Sequence, residues 1–314
     1  MTFDLQGHRG ARGLAPENTL PAFARALEIG VTTLELDAAI TRDGVLVAHH
    51  DRRLNPALAR GPGAGRRGWI GAPGPLIRDL TFAELSRYDV GRIDPASAYA
   101  RRFPHQAALD GTRIPSLAEL FALVRERGDE GVRFNIETKI DPRHPEETVG
   151  PEKFTVALVA AIRAAGLASR ATIQSFDWRT LRIVQATAAE IQTVYLSSEQ
   201  PPDQTLRGPP GAASPWTAGL RREDFPSTPA MVSAAGGRLW SPDHRDVDEA
   251  AASAAAALGV AFVPWTVNEP QDLARMLALG AAGVITDYPD RTAAALAARG
   301  IAFRTPAGSP RARP

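Results

Sequence analysis

Short runs rich in Val, Ile and Phe recur along the 314 residues, and between most of them lies a longer Ala- and Leu-rich stretch at helical spacing. The strand-like runs fall at 3–8, 32–38, 133–138, 171–175, 192–196, 238–241, 261–267 and 283–286, which makes eight. Helical stretches fall at 19–29, 116–127, 152–165, 178–188, 246–258, 269–279 and 290–298. Thr19-Leu20-Pro21 places a capping residue just before a proline in the first turn, where its missing N–H does no harm. Gly30, Gly166, Gly259, Gly280 and Gly300 each follow a helical run, where a left-handed residue is expected. Eight strands alternating with helices point to a parallel sheet closed as a (β/α)8 TIM barrel. An open doubly wound sheet ranks behind it, because no Gly-rich phosphate loop follows the first strand.

Two segments break the repeat. Residues 52–113 are rich in Gly, Pro and Arg with one clear short helix at 82–88, and read as an insertion after the second barrel strand, placed over the mouth. Residues 198–227, with Pro201-Pro202, Pro209-Pro210 and Trp216, form a second long loop. Loops of this length in a barrel usually serve as lids or specificity elements. Residues 1–302 then form a single domain that includes both, and 303–314 read as a disordered tail.

Composition narrows the partners. Hydrophobic residues make up 44% and charged residues 23%, as in a globular protein with a substantial core. The net charge is +1, so no global field favours nucleic acid or an anionic membrane, and any anion recognition is local. No apolar run reaches the roughly 18 residues of a membrane span. Cysteine is absent, which removes disulfides, thiolate nucleophiles and Cys-ligated zinc. Met1-Thr2-Phe3-Asp4-Leu5 has no basic or apolar leader, so as it stands the chain is expected in the cytoplasm; a mature periplasmic or secreted form cut from a precursor would read the same. Lys139 and Lys153 are the only lysines among 36 basic residues. A lysine retained in so arginine-rich a chain suggests a compact point charge at 139.

Polar chemistry concentrates between His8 and Asp51. Glu35 and Asp37 are two apart on a strand, so they share a face, with Leu34, Leu36 and Ala38 on the other. Asn135, Glu137 and Lys139 repeat the pattern opposite Phe134 and Ile136. Inward polar residues near strand C-termini belong to the active-site layer of a barrel. Glu35, Asp37 and Glu137 converging there would repel one another unless a cation sat between them. An all-oxygen set suggests Mg²⁺ or Ca²⁺. A salt-bridge network with Lys139 and nearby arginines is the bland alternative. His8 ends the first strand and precedes Arg9; His50 ends an extended segment reached through the Asp43-Gly44 turn. Alternation puts His49 and His50 on opposite sides. Two imidazoles flanking a cation and an arginine suit phosphodiester cleavage, one removing a proton from the attacking oxygen and one protonating the leaving alkoxide. Arg9 and Lys139 would bind the phosphate.

His8-Arg9-Gly10, Pro16-Glu17-Asn18-Thr19, Glu35-x-Asp37, Asp43-Gly44, His50-Asp51 and Glu137-x-Lys139 together resemble the signature of the glycerophosphodiester phosphodiesterases. Gln174-Ser175-Phe176, Pro264-Trp265-Thr266-Val267-Asn268 and 283–289 match as well, so the likeness runs from about Phe3 to Gly300. It implies a barrel enzyme that hydrolyses small glycerophosphodiesters, the deacylated phospholipids, to glycerol 3-phosphate and an alcohol. It implies a divalent cation on Glu35, Asp37 and Glu137, His8 and His50 as the acid–base pair, and Arg9 and Lys139 on the phosphate. Tyr88-Asp89-Val90-Gly91 and Asp110-Gly111-Thr112-Arg113 resemble the longer bacterial members, many of them exported.

Other motif residues read as supports. Glu17 is expected near the substrate or orienting Arg9 and His8, while Thr19 caps the following helix. Trp265 is expected to face glycerol or the head group. Asp287 and Tyr288 are expected to close the barrel, and Phe176, Trp178 and Phe262 to pack. Two rival functions remain: a phospholipase D-like enzyme forming a cyclic phosphate from lysolipids, and a non-catalytic phosphate-ester binding protein. The lack of an apolar or aromatic membrane stretch counts against the first, and against stable membrane insertion; the complete acid–base pair counts against the second. A glycosidase fails, because carboxylates side by side on one strand do not flank a scissile bond.

Overall fold

The computed structural model describes residues 2–63 and 68–304. Its strands are β1 (Asp4–Gly7), β2 (Thr33–Ile40), β3 (Leu46–Ala48), β4 (Arg133–Thr138), β5 (Ala171–Ser175), β6 (Gln192–Ser197), β7 (Leu239–Pro242), β8 (Ala261–Phe262) and β9 (Gly283–Thr286). All but β3 pair in parallel, in the order β8-β7-β6-β5-β4-β2-β1-β9, and β3 turns back antiparallel along β2. Backbone bonds from Ala282 to Phe262 (3.0 Å), Ile285 to Pro264 (2.9 Å) and Val267 to Ile285 (2.9 Å) draw the two ends together. The architecture is a (β/α)8 barrel. The strand expected over 261–267 is regular only at Ala261–Phe262. Pro264 has no N–H to give to a ladder, so the rest of the segment reaches β9 through single bonds.

The helices are α1 (Leu20–Ile29), α2 (Phe82–Leu85), α3 (Ala98–Arg102), α4 (Leu117–Glu126), α5 (Pro151–Ala164), α6 (Trp178–Thr187), α7 (Thr228–Ala234), α8 (Glu249–Ala257), α9 (Pro270–Ala278) and α10 (Pro289–Ala297). Thr19 caps α1, its hydroxyl accepting from the Ala22 N–H at 3.4 Å. Neither α7 nor α3 was among the expected helices. The signal for α7 was present in Ser227-Thr228-Pro229: Ser227 accepts from the Ala230 N–H at 3.2 Å, with proline in the first turn. Its length hid it, since seven residues show barely two turns of period.

Strand alternation sorts the core. Leu5, Leu34, Leu36, Phe134, Ile136 and Ile173 are fully buried with Phe23, Phe154 and Trp178 from the surrounding helices. The opposite faces carry Gln6, Glu35, Asp37, Asn135, Glu137 and Gln174 into the barrel, all buried. That polar interior is satisfied: Asn135 Nδ2 donates to Gln6 Oε1 and Gln174 Oε1 at 2.9 Å each, and Thr172 donates to Asn135 Oδ1 at 2.7 Å.

Between β3 and α4 the chain forms a separate small core of Val47, Leu54, Ile70, Ile77, Leu85, Tyr88 and Ile114 with Ala39 of β2. Each fully buried Leu or Ile there contributes roughly 1.5–3 kcal/mol, which holds a segment with little regular structure. At the other end of the barrel Arg304 Nε donates to Val31 O and Nη2 to Asp129 Oδ2, both at 2.8 Å. The remainder of the tail expected over 303–314, residues 305–314, lies outside the described residues. No described helix is long and apolar enough to cross a membrane.

Candidate active site

The register of β2 against β4 sets Asp37 opposite Glu137 and Glu35 opposite Asn135. Three inward carboxylates therefore meet at the C-terminal ends of two neighbouring strands. Oxygens of Glu35, Asp37 and Glu137 lie within 4.8 Å of one another, and all three residues are buried. Burial first, then the neighbouring carboxylates, push Glu35 well above the usual range. Burial also raises Glu137 to about 7, against the pull of Lys139. Asp37 moves the other way: burial would raise it, but Arg9, His50 and Lys139 together hold it well below. Such a cluster favours a bound positive charge.

The chain fixes each carboxylate separately. Gln174 Nε2 donates to Glu35 Oε1 at 2.6 Å, and the Arg9 N–H to Glu35 Oε2 at 2.9 Å. Asn18 Nδ2 donates to Asp37 Oδ2 at 2.8 Å, and Lys139 Nζ to Glu137 Oε1 at 2.7 Å. Hard oxygen ligands with no sulfur among them fit a divalent cation such as Mg²⁺ or Ca²⁺.

Arg9 enters from the turn after β1. Its φ of 51° and that of Asn18, 54°, are uncommon for side-chain-bearing residues and cost on the order of 1–3 kcal/mol each. The strained turn aims the Arg9 N–H at Glu35 and the guanidinium at Glu17 (2.7 Å) and Asp37 (3.2 Å). Gly10, at φ 82°, has no alternative: a Cβ there would lie 2.6 Å from the Ala22 backbone. Arg9 Nε is buried and, despite its distance to Asp37, makes no well-directed hydrogen bond.

Two imidazoles stand beside this centre. His8 Nδ1 lies 2.6 Å from Asp287 Oδ1, and His8 Nε2 is 3.9 Å from Glu35. Asp287 is itself gripped by Arg12 at 2.8 and 3.0 Å and by Asn268 Nδ2 at 2.8 Å. His50 Nδ1 lies 2.6 Å from Asp51 Oδ1, and Asn55 donates to Asp51 Oδ2 at 2.9 Å. A carboxylate on Nδ1 assigns the ring proton there and leaves a lone pair on Nε2. Burial lowers both rings to about 4, assisted at His8 by Arg12 and at His50 by Arg9 and Lys139, which favours the neutral form of each ring. His49 turns elsewhere, its Nε2 3.4 Å from Arg53 O.

Glu17 lies behind Arg9, between it and Tyr99. Trp265 is half-buried, its indole N–H donating to Ser241 O at 3.0 Å. Its ring meets Phe176 edge-on at 5.5 Å, and Phe176 meets Trp216 of the 198–227 loop at 6.3 Å. The residues that sequence reasoning missed are supports: Arg12, Asn268 and Asp287 behind His8, Gln174 behind Glu35, and Tyr99 behind Glu17. Asp287 follows the final strand and does join the barrel ends, through Asn268, but its carboxylate also holds His8. Its place directly after a strand's C-terminal end was the available signal.

The model of the glycerophosphoryl diester phosphodiesterase family matches residues 8–291. A glycerophosphodiester phosphodiesterase of Caldanaerobacter subterraneus subsp. tengcongensis is 28% identical over 283 residues, covering 90% of this chain and 93% of its own. A crystal structure of a Silicibacter pomeroyi protein assigned to the glycerophosphoryl diester phosphodiesterases superposes with TM-score 0.82 at 35% identity, over 96% of this chain and 95% of that one. An Oleispira antarctica phosphodiesterase, solved with its product sn-glycerol-3-phosphate, shares the fold at TM-score 0.64 and 21% identity, over 94% and 96% of the two chains.

Proposed function

The chain belongs to the glycerophosphoryl diester phosphodiesterase family and is an enzyme of that kind; from this premise we propose that it hydrolyses deacylated phospholipids to glycerol 3-phosphate and an alcohol, with His8 and His50 as the acid–base pair. The observation that carries this reading is the matched pair of imidazoles, each tied through Nδ1 to a carboxylate at 2.6 Å, beside a buried acidic centre: His8 Nε2 is 3.9 Å from Glu35, and His50 is close enough to help hold Asp37 ionised.

In this mechanism the substrate phosphate docks on Arg9 and Lys139, whose charges offset its own. Glu35, Asp37 and Glu137 would hold one Mg²⁺ or Ca²⁺, which would neutralise charge on the phosphate oxygens. The attacking oxygen is water or the neighbouring hydroxyl of the glycerol, and one imidazole takes its proton at Nε2. As the new P–O bond forms, the bond to the leaving alcohol breaks and the other imidazole, which takes up a proton from solvent once the anionic diester lies beside it, donates that proton to the alkoxide; the proton held by the first ring then passes to solvent. Where the glycerol hydroxyl attacks first, the product is a cyclic phosphate that water opens in a second pass. Asp287 and Asp51 keep each ring in one tautomer and one orientation throughout. Residues 1–302 act as one unit, with 52–113 and 198–227 shaping the mouth, and Trp265 with Phe176 offers the apolar wall for glycerol or head group.

The test is a hydrolysis panel over glycerophosphocholine, -ethanolamine, -glycerol and -inositol and a lysophosphatidylcholine with Mg²⁺, Ca²⁺ or excess chelator, followed by phosphorus NMR. Glycerol 3-phosphate released only with a cation is the expected result. No release from any diester would overturn the activity, full turnover in chelator the metal assignment, and a persistent cyclic phosphate from lysolipids would favour the phospholipase D-like rival.

A further inference from the structure

The segment between β3 and α4 touches the catalytic machinery at one corner. There α3 is mostly exposed or half-exposed, yet Tyr99 and Phe103 pack their rings together at 5.1 Å and turn toward the loop after β1. Phe103 lies against the Arg12 guanidinium, 4.7 Å from ring centre to Cζ, and Gln106 Nε2 donates to Arg12 O at 2.7 Å. The Tyr99 hydroxyl donates to Glu17 Oε2, while Glu17 Oε1 accepts from Arg9 Nη1 at 2.7 Å. Burial first, then the Glu17 carboxylate, hold the Tyr99 hydroxyl well above its ordinary range, so it remains a donor at any working pH.

Glu17 thus has two anchors, one on each oxygen. A glutamate side chain has three rotatable bonds, and a single ion pair leaves it free to follow a guanidinium rather than to direct it. The second anchor changes that. With Tyr99 in place the carboxylate plane is set from the far side, and Arg9 must meet it in one orientation. Nη1 of Arg9 then donates to Glu17, Nε lies 3.2 Å from Asp37 without a directed bond, and Nη2 has no hydrogen-bond partner among the described residues. That is the edge left for an anion.

We propose that Tyr99 is a positioning residue: its hydroxyl locks Glu17, and through Glu17 it orients the Arg9 guanidinium toward the substrate phosphate. The inference deepens the reading of Arg9 as a phosphate ligand and rests on it. It also gives the inserted segment a chemical duty, since the anion site is incomplete without a side chain from outside the barrel repeat.

Tyr99→Phe removes the hydroxyl and keeps the ring against Phe103. In the full chain it should weaken calorimetric binding of inorganic phosphate and of glycerol 3-phosphate about tenfold, the scale of one hydrogen bond to a charged group. KM for a glycerophosphodiester should rise about as much, with kcat and the thermal midpoint little changed. Glu17→Gln should weaken phosphate binding to a similar degree, and the double variant should be no worse than Glu17→Gln alone, because the hydroxyl acts only through Glu17. Unchanged phosphate affinity in Tyr99→Phe would overturn the proposal, as would a penalty that adds in full to that of Glu17→Gln. So would a fall in kcat and midpoint without a change in phosphate binding, the mark of a structural role. Phosphate binding needs no turnover, so a chain inactive on every diester would sink the proposed activity while the binding measurement still tested Tyr99.

Discussion

The two imidazoles are built alike at the ring and unlike behind it. His8 ends one barrel strand and its carboxylate, Asp287, follows another 279 residues later in sequence. Their side chains are 12% and 3% exposed, and Arg12 and Asn268 complete a closed network. His50 takes its carboxylate from the next residue, on a loop beyond a short hairpin strand. Here the side chains are 32% and 38% exposed, and Asn55 holds the other oxygen. One arm is cast by tertiary pairing and closed to water; the other is local and half-buried, its ring desolvated on the site side while water still reaches its carboxylate. The same carboxylate–imidazole geometry can come from either, but the consequences of breaking it differ, because an unpaired charge is costly only where water cannot reach it.

The largest effects test whether the arms are equal in chemistry. His8→Ala and His50→Ala should each lower kcat by about a thousandfold or more with the circular dichroism spectrum unchanged. A hundredfold gap between them would show that one ring is dispensable. Next, the carboxylates should separate the arms. Asp287→Asn should lower kcat on the order of a hundredfold and cost about 3–5 kcal/mol in urea denaturation, since it leaves Arg12 buried without its counter-charge. Asp51→Asn should cost about tenfold in kcat and under about 1 kcal/mol, in keeping with a half-buried pair whose carboxylate water still reaches. Equal stability losses would dissolve the distinction.

Smaller effects probe the centre between the arms. Glu35→Gln should weaken divalent-cation binding by about ten- to a hundredfold in calorimetry, before any change in fold. The smallest concerns Glu137, whose carboxyl rises from an ordinary 4.5 to about 7 in the folded chain. Between those values the folded state binds more protons than the unfolded one, so this group's contribution to stability falls as pH rises through the window. In chelator, Glu137→Gln should therefore gain stability relative to the native chain from pH 5 to pH 7. A difference flat with pH would remove Glu137 from the coupled cluster.

The two arms were also unequally legible. His50-Asp51 is a pair of neighbours, and Glu35-x-Asp37 shares a face by strand period alone, so adjacency exposed both. The grip of Asp287 on His8 has no local trace, because the two lie at opposite ends of the chain and meet only when β1 pairs with β9. Tyr99 was hidden for a related reason. It sits on a five-residue helix in a Gly- and Pro-rich stretch, too short for a period, and its partner Glu17 is 82 residues away.

Hydrophobic alternation and helix stops were enough to specify a closed parallel barrel, because a strand buried on both faces and followed by a helix has few other ways to hide its apolar side. Period-two spacing likewise settled which carboxylates point inward, for that depends on the backbone alone. Which groups hold His8, Glu35 and Glu17 still was decided by tertiary structure. Those contacts depend on strand register, barrel closure and the docking of an inserted corner, and each joins residues whose separation along the chain carries no information about their separation in space.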